Sequence, residues 1–328
     1  MAESKMAEAK KGTEILKWAN AKGEFVRKPS SFRNWITKDG SSGFPPESGR
    51  YHLYVSYACP WAHRTIIARS LKGLTKCITM DVVDYHMGEK GWRFNPAVKD
   101  ATPDTVNGFE HLREIYFLAN AEYEGRFTVP VLWDKKTKTV VNNESSEILR
   151  ILNSEFNDFC ETDEQRAIDL YPQELRKEIE EVNEWIYKDI NNGVYRAGFA
   201  TKQEAYDKAV CEVFAALDRV EEVLSTRRYL TGSTLTEADV RLYTTLARFD
   251  CVYVGHFKCN KKRIMDYPHL WDYLRDLYQT RGFGDTTNRH HIEHHYQESH
   301  LQINPHGIVA IGPDIDFNAP HNRDTKFS

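Results

Sequence analysis

Apolar residues recur along this chain with two different spacings. In the first half the patterned segments are short. "YHLYVS" (51–56) alternates and is rich in β-formers, which predicts a strand. "PWAHRTIIARSL" (60–71) predicts a helix with Pro60 at its first position, where the missing N–H is not needed. "CITMDVVD" (77–84) reads as a second strand, and a long segment, 85–126, follows it. "FTVPVLWD" (127–134) and "TKTVVNN" (137–143) form a hairpin across two lysines, and "ESSEILRILNSEF" (144–156) is an amphipathic helix. Past about residue 165 the spacing lengthens to three and four. Leu175, Ile179, Val182, Ile186 and Ile190 share one helical face, as do Tyr206, Val210, Val213, Leu217, Val220 and Leu224. In "LTEADV", Thr236 can cap a helix with Asp239 at its third position and Leu235 stapled to Val240. More helix is expected over 268–280 and 286–298.

Strand, helix, strand, insertion, strand, strand, helix is a thioredoxin-like order, with a long insertion where a helix is expected. The expected architecture is α/β plus all-α. It comprises a turn-rich extension at 1–49 wrapped on the surface with a partly disordered tip, and a thioredoxin-like domain at 50–160 with its insertion at 85–126. An all-helical domain at 165–300 and an irregular tail at 301–328 complete it. A length of 328 residues suits about two domains, and 41% hydrophobic residues suffice for a core. A net charge of −4 lacks the basic face of a nucleic-acid binder. No apolar run reaches the length of a membrane span, and "MAESKMAEAKKG" has neither an apolar core nor the acid-poor character of an import signal. A soluble cytoplasmic protein is expected.

The chain has six cysteines, Cys59, Cys77, Cys160, Cys211, Cys251 and Cys259, and none forms C-x-x-C. A disulfide framework is not expected. A free cysteine is ordinarily a small core hydrophobe, but Cys59 directly precedes the helix at Pro60. A thiol there meets unpaired backbone N–H groups and the positive helix end, a setting that lowers thiol pKa. Ala62 stands where a dithiol oxidoreductase carries its resolving cysteine, so Cys59 needs an external thiol, and the abundant cytosolic one is glutathione. Two further signals agree. The proline of "TVP" (128–130) is expected to be cis, leaving the Val129 backbone open to an extended peptide. In "NNESSEI", Ser145 can hold a carboxylate and Glu144 an amine, the two charges of a γ-glutamyl group. The plainer readings are a helix cap at Ser145 or Ser146 and a turn at Pro130. Their joint occurrence in this order favours glutathione.

The stretches "RYHLYVSYACPWAHR", "GWRF", "TVPVLWD", "NNESSEI", "RFDCVYVGHFKCN" and "NRHHIEHHYQESHLQINPHGIVAIGP" closely resemble the glutathionyl-hydroquinone reductases, the xi class of glutathione transferases, from about residue 21 to 313. The resemblance implies a homodimer of a type peculiar to the class. It also implies removal of glutathione from glutathionyl-hydroquinones, with glutathione as co-substrate and no metal. Cys59 matches the catalytic cysteine. Trp92, Arg126, Val129, Glu144 and Ser145 match positions that hold glutathione. Tyr195 and Tyr296 match tyrosines of the quinol pocket, and Tyr253 is a third candidate.

The chemistry so implied is covalent. Cys59 attacks the glutathione sulfur, hydroquinone leaves, and a second glutathione resolves the mixed disulfide. The rivals are an ordinary transferase that joins glutathione to electrophiles, an omega-like thiol transferase or dehydroascorbate reductase, and a non-enzymatic ligand carrier on the same scaffold. His63, one turn into the helix, is expected to be structural. His290 with His294 and His291 with His295 stand four apart, as helical metal ligands do. Structural or pocket roles are expected for them instead, because the chemistry needs no metal.

Overall fold

The protein is described from a computed structural model covering residues 19–27 and 29–327. The expected tip of the N-terminal extension lies outside the described residues. A four-stranded sheet comprises β1 (Tyr51–Val55), β2 (Thr79–Val82), β3 (Val131–Asp134) and β4 (Thr139–Asn142) in the order β2-β1-β3-β4. The first pair is parallel and the others antiparallel. Strand β1 is buried at every residue rather than on alternate faces, because a central strand is covered on both sides. Its polar member, His52, bonds Thr79 at 2.7 Å. Helix α1 (Pro60–Leu71) crosses from β1 to β2. The segment expected as a helix-less insertion contains the missing helix, α2 (Leu112–Ala119), after an irregular stretch. Helix α3 (Ser145–Ser154) packs beside α1.

The extension runs along β4. Asn34 N donates to Val141 O at 3.0 Å and Asn143 N to Phe32 O at 3.0 Å, which covers that sheet edge.

The second half is helical: α4 (Asp163–Ala167), α5 (Arg176–Ile186), α6 (Gly193–Gly198), α7 (Gln203–Thr226), α8 (Glu237–Arg248), α9 (Pro268–Gln279) and α10 (Arg289–Ser299). Thr236 and Asp239 form the expected capping box of α8. Two single π-turns, Tyr187–Asn191 and Phe249–Tyr253, interrupt the regular pattern near the residues of interest. The tail is irregular as far as a final short helix, α11 (Arg323–Lys326), which corrects its reading as wholly irregular. Fully buried Arg323 donates to Leu224 O at 2.9 Å, placing a cation at the C-terminal end of α7. No described helix is long and apolar enough to cross a membrane.

Candidate active site

Cys59 caps α1 from an extended backbone conformation. Its Sγ donates to Val129 O at 3.6 Å, beside the cis Val129–Pro130 bond. The sulfur opens into a cleft whose lining includes Trp61, Met87, Trp92, Phe127, Tyr195 and Tyr296. Burial among these walls raises the thiol above its ordinary value, which corrects the expected lowering. The helix-start effect is still present. The Ala62 and Trp61 N–H groups, with Arg248 and Arg27, favour the thiolate, but burial outweighs them.

A second cavity adjoins the first and shares Arg27, Trp61, Thr128 and Val129 with it. Of the residues matched to glutathione, Trp92, Arg126 and Val129 line the first cavity, and Val129, Glu144 and Ser145 line the second. Glu144, not a serine, caps α3 by accepting from Ser146 N at 3.2 Å. Burial alone would raise the Glu144 carboxyl. Hydrogen bonds from Ser146 and from Ser30 Oγ, together with the charge of Arg64, hold it below its usual range, so it stays ionised. Ser145 is buried, with Arg64 Nη1 3.5 Å from its hydroxyl.

The three tyrosines form a chain of hydroxyls. Tyr195 OH and Tyr296 OH lie 2.5 Å apart, and Tyr296 OH and Tyr253 OH 3.0 Å apart. Burial raises all three above the ordinary phenol value, so they carry their protons. Tyr195 and Tyr296 line the cleft, whereas Tyr253 is fully buried behind them.

Sequence reasoning missed Arg27, Trp61, Met87, Phe127, Phe199 and His300 in the lining, whereas His295, for which a structural or pocket role was expected, is there. Trp61 adjoins Cys59 and could have been found by that adjacency. Arg27 sits in an unpatterned extension that carries no local signal.

The histidines hold α10 against the irregular stretch before α2. His291 Nε2 meets Lys99 O at 2.6 Å, and His295 Nδ1 meets Tyr85 O at 2.7 Å. Trp92 stacks on His295, with ring centroids 4.8 Å apart. His63 is buried between Thr286 Oγ1 at 2.9 Å and Arg248 at 3.1 Å, a structural position.

Burial holds His256 and His295 down at about 4. Above pH 6.5 both are neutral whether the chain is folded or unfolded, and neither affects stability. As pH falls from 6.5 towards 4, the unfolded chain takes up protons that the folded chain refuses, so stability falls across that window. The expected loss is roughly 2 kcal/mol per histidine by pH 5. Urea unfolding at pH 7, 6 and 5 measures it, and His256→Gln should flatten the decline. Equal midpoints at pH 7 and 5 would contradict this account.

Residues 58–155 match the family model for the N-terminal domain of glutathione S-transferases, and residues 203–276 that for the C-terminal domain. The chain is 53% identical to the glutathionyl-hydroquinone reductase YqjG of Escherichia coli, over 93% of this chain and 94% of that one. It is 52% identical to the glutathione S-transferase omega-like 2 of Schizosaccharomyces pombe, over 92% and 97%. The crystal structure of the xi glutathione S-transferase of Phanerochaete chrysosporium aligns with a TM-score of 0.89 at 51% identity, covering 92% of this chain and 96% of that one. A glutathione-bound structure of Escherichia coli YqjG aligns at 0.88 and 54% identity, covering 90% and 97%.

Proposed function

The chain belongs to the glutathionyl-hydroquinone reductases, the xi class of glutathione transferases, and we propose that it removes glutathione from glutathionyl-hydroquinones through Cys59. The observation that carries this reading is one lone thiol at a helix start, in a cleft it shares with the paired hydroxyls of Tyr195 and Tyr296. Ala62 leaves Cys59 without a local resolving thiol.

Glutathione is the co-substrate. Glu144 and Ser145 receive its γ-glutamyl amine and carboxylate, Val129 pairs with its backbone, and Trp92 and Arg126 bound its other end. The Cys59 thiolate attacks the glutathione sulfur. The carbon–sulfur bond breaks with its electron pair left on the ring carbon, which takes a proton from the tyrosine pair or water. Hydroquinone departs, and Cys59 is held as a mixed disulfide. The thiolate of a second glutathione attacks that disulfide, releases oxidised glutathione and returns Cys59 as thiolate. Overall the ring carbon gains a hydrogen, and its former thioether sulfur and the thiol of the second glutathione leave joined as oxidised glutathione, with no metal in any step. An omega-like thiol transferase would use the same cysteine, but the hydroxyl pair favours a ring carrying hydroxyls of its own. A cytoplasmic homodimer goes with this reading.

The test is a single turnover without free glutathione. The enzyme should release one equivalent of hydroquinone and gain the mass of one glutathionyl group on Cys59. Tyr296→Phe should slow that step by roughly 5- to 150-fold, the worth of one hydrogen bond to the substrate. It should spare resolution of the mixed disulfide, where no ring is present. Absence of the adduct would overturn the mechanism, and equal slowing of both steps would remove Tyr296 from the ring pocket.

A further inference from the structure

Arg27 enters the cleft from the N-terminal extension. Its guanidinium lies 4.5 Å from the Trp61 ring and 5.3 Å from the Tyr195 ring. Its Nε donates to Asn192 Oδ1 at 3.2 Å. Stacked and tethered in this way, the group is oriented before any ligand arrives, and among the described residues no carboxylate pairs with either Nη. Arg27 belongs to both cavities and so stands where the glutathione end of the cleft meets the ring end.

The charge of the ring end is one-sided. Its described lining combines apolar and aromatic walls and two histidines that burial keeps neutral with the cations Arg27 and Arg126, and contains no aspartate or glutamate. A flat apolar slot with a fixed guanidinium at its rim suits an aromatic ring bearing an anion. A planar fork on the ligand side, with its two Nη edges, matches a carboxylate.

We infer that the enzyme selects glutathionyl-hydroquinones whose ring carries a carboxylate, and that Arg27 is the residue that reads it. This rests on the function proposed above and names the substrate class within it. Arg126, assigned above to glutathione, lines the first cavity only, whereas Arg27 lines both.

The experiment compares two substrates differing only in the acid, glutathionyl-hydroquinone and its ring-carboxylated analogue, glutathionyl-2,5-dihydroxybenzoate. Wild-type kcat/KM should favour the carboxylated substrate by about 10- to 100-fold, the range of a hydrogen bond to a charged group. Arg27→Gln should reduce that preference to less than about 3-fold, mainly by lowering turnover of the acid, and Arg27→Lys should restore part of it. Three outcomes would overturn the inference: no preference in the wild type, a preference unchanged in Arg27→Gln, or an equal loss on both substrates with a raised KM for glutathione, which would place Arg27 on the peptide instead. Turnover of the plain substrate by the wild type tests the proposed function separately, so the two can fail independently.

Discussion

Cys59→Ser should abolish reductase turnover, by roughly 1,000-fold or more, because a serine hydroxyl can neither attack the glutathione sulfur nor hold a mixed disulfide. The side chain shrinks by one substitution of oxygen for sulfur in a partly open position, so the fold should survive. The other five cysteines should each tolerate serine with most activity kept. Cys251 and Cys259 are buried away from the cleft, where burial pushes both up to about 12 and no substrate reaches them. Cys160 and Cys251 donate to carbonyls within their own local turns, Phe156 O at 3.8 Å and Ala247 O at 3.7 Å. Cys77 is buried and is not among the residues lining the cleft. Cys211 is exposed on α7 and is not among the residues lining the cleft. The measurement is steady-state turnover of six single variants, with unfolding midpoints to confirm that each is folded. A folded Cys59→Ser enzyme with near-normal rates would end the mechanism.

Arg248→Met should destabilise the protein by about 3–5 kcal/mol. Arg248 is fully buried at the end of α8, and its donors are spread over four acceptors. Nε reaches Ala58 O at 2.8 Å and Nη2 reaches Tyr57 O at 2.8 Å. Nη1 reaches Thr244 O at 2.7 Å and His63 Nδ1 at 3.1 Å. An apolar replacement of a buried ion can be neutral when its partners leave with it. Here the partners stay, because two are main-chain carbonyls of the turn that leads into Cys59. Left without donors, each such group costs about 1–3 kcal/mol. Arg248→Lys should recover only part of the loss, since one ammonium cannot span the arc that the guanidinium covers. The consequence for catalysis differs from that of Tyr296→Phe. A displaced Tyr57–Ala58 turn moves the sulfur itself, so both half-reactions should slow together. Urea titration and split half-reaction kinetics measure the two effects. A stability loss below about 1 kcal/mol would show that water or a neighbour replaces the guanidinium.

Several features were legible because they are local. A proline one residue after Cys59, a Thr-x-x-Asp box at Thr236 and an apolar repeat along 206–224 each act through neighbours within a turn or two of chain. Those elements stand where the pattern puts them. Locality also explains the failures. The helix at Leu112–Ala119 was hidden in a segment whose irregular first part makes its contacts with α10, nearly 200 residues away. Alternation along "YHLYVS" predicts a strand but not its place in the sheet, and only the order β2-β1-β3-β4 shows that it is central with both faces covered. The cap of α3 fell to Glu144 rather than a serine because Ser30, from the extension, helps to hold that carboxylate in place.

By itself, then, the sequence determined where the thiol would stand: a cysteine between a strand and a proline-led helix, with no partner cysteine two residues after the proline. It also placed Glu144 and Ser145 at a second helix start. Those are statements about short stretches, and backbone hydrogen bonding and helix capping enforce them wherever the chain folds. Tertiary structure alone decided the character of the site. It brought Arg27 from one end of the chain and Tyr296 from near the other to the same cleft, and set Tyr253 behind the wall. It reversed the direction of the Cys59 shift, because the helix terminus acts within one turn, whereas desolvation is summed over every wall that closes around the sulfur. Burial is a property of the assembled surfaces, and no window of sequence contains it.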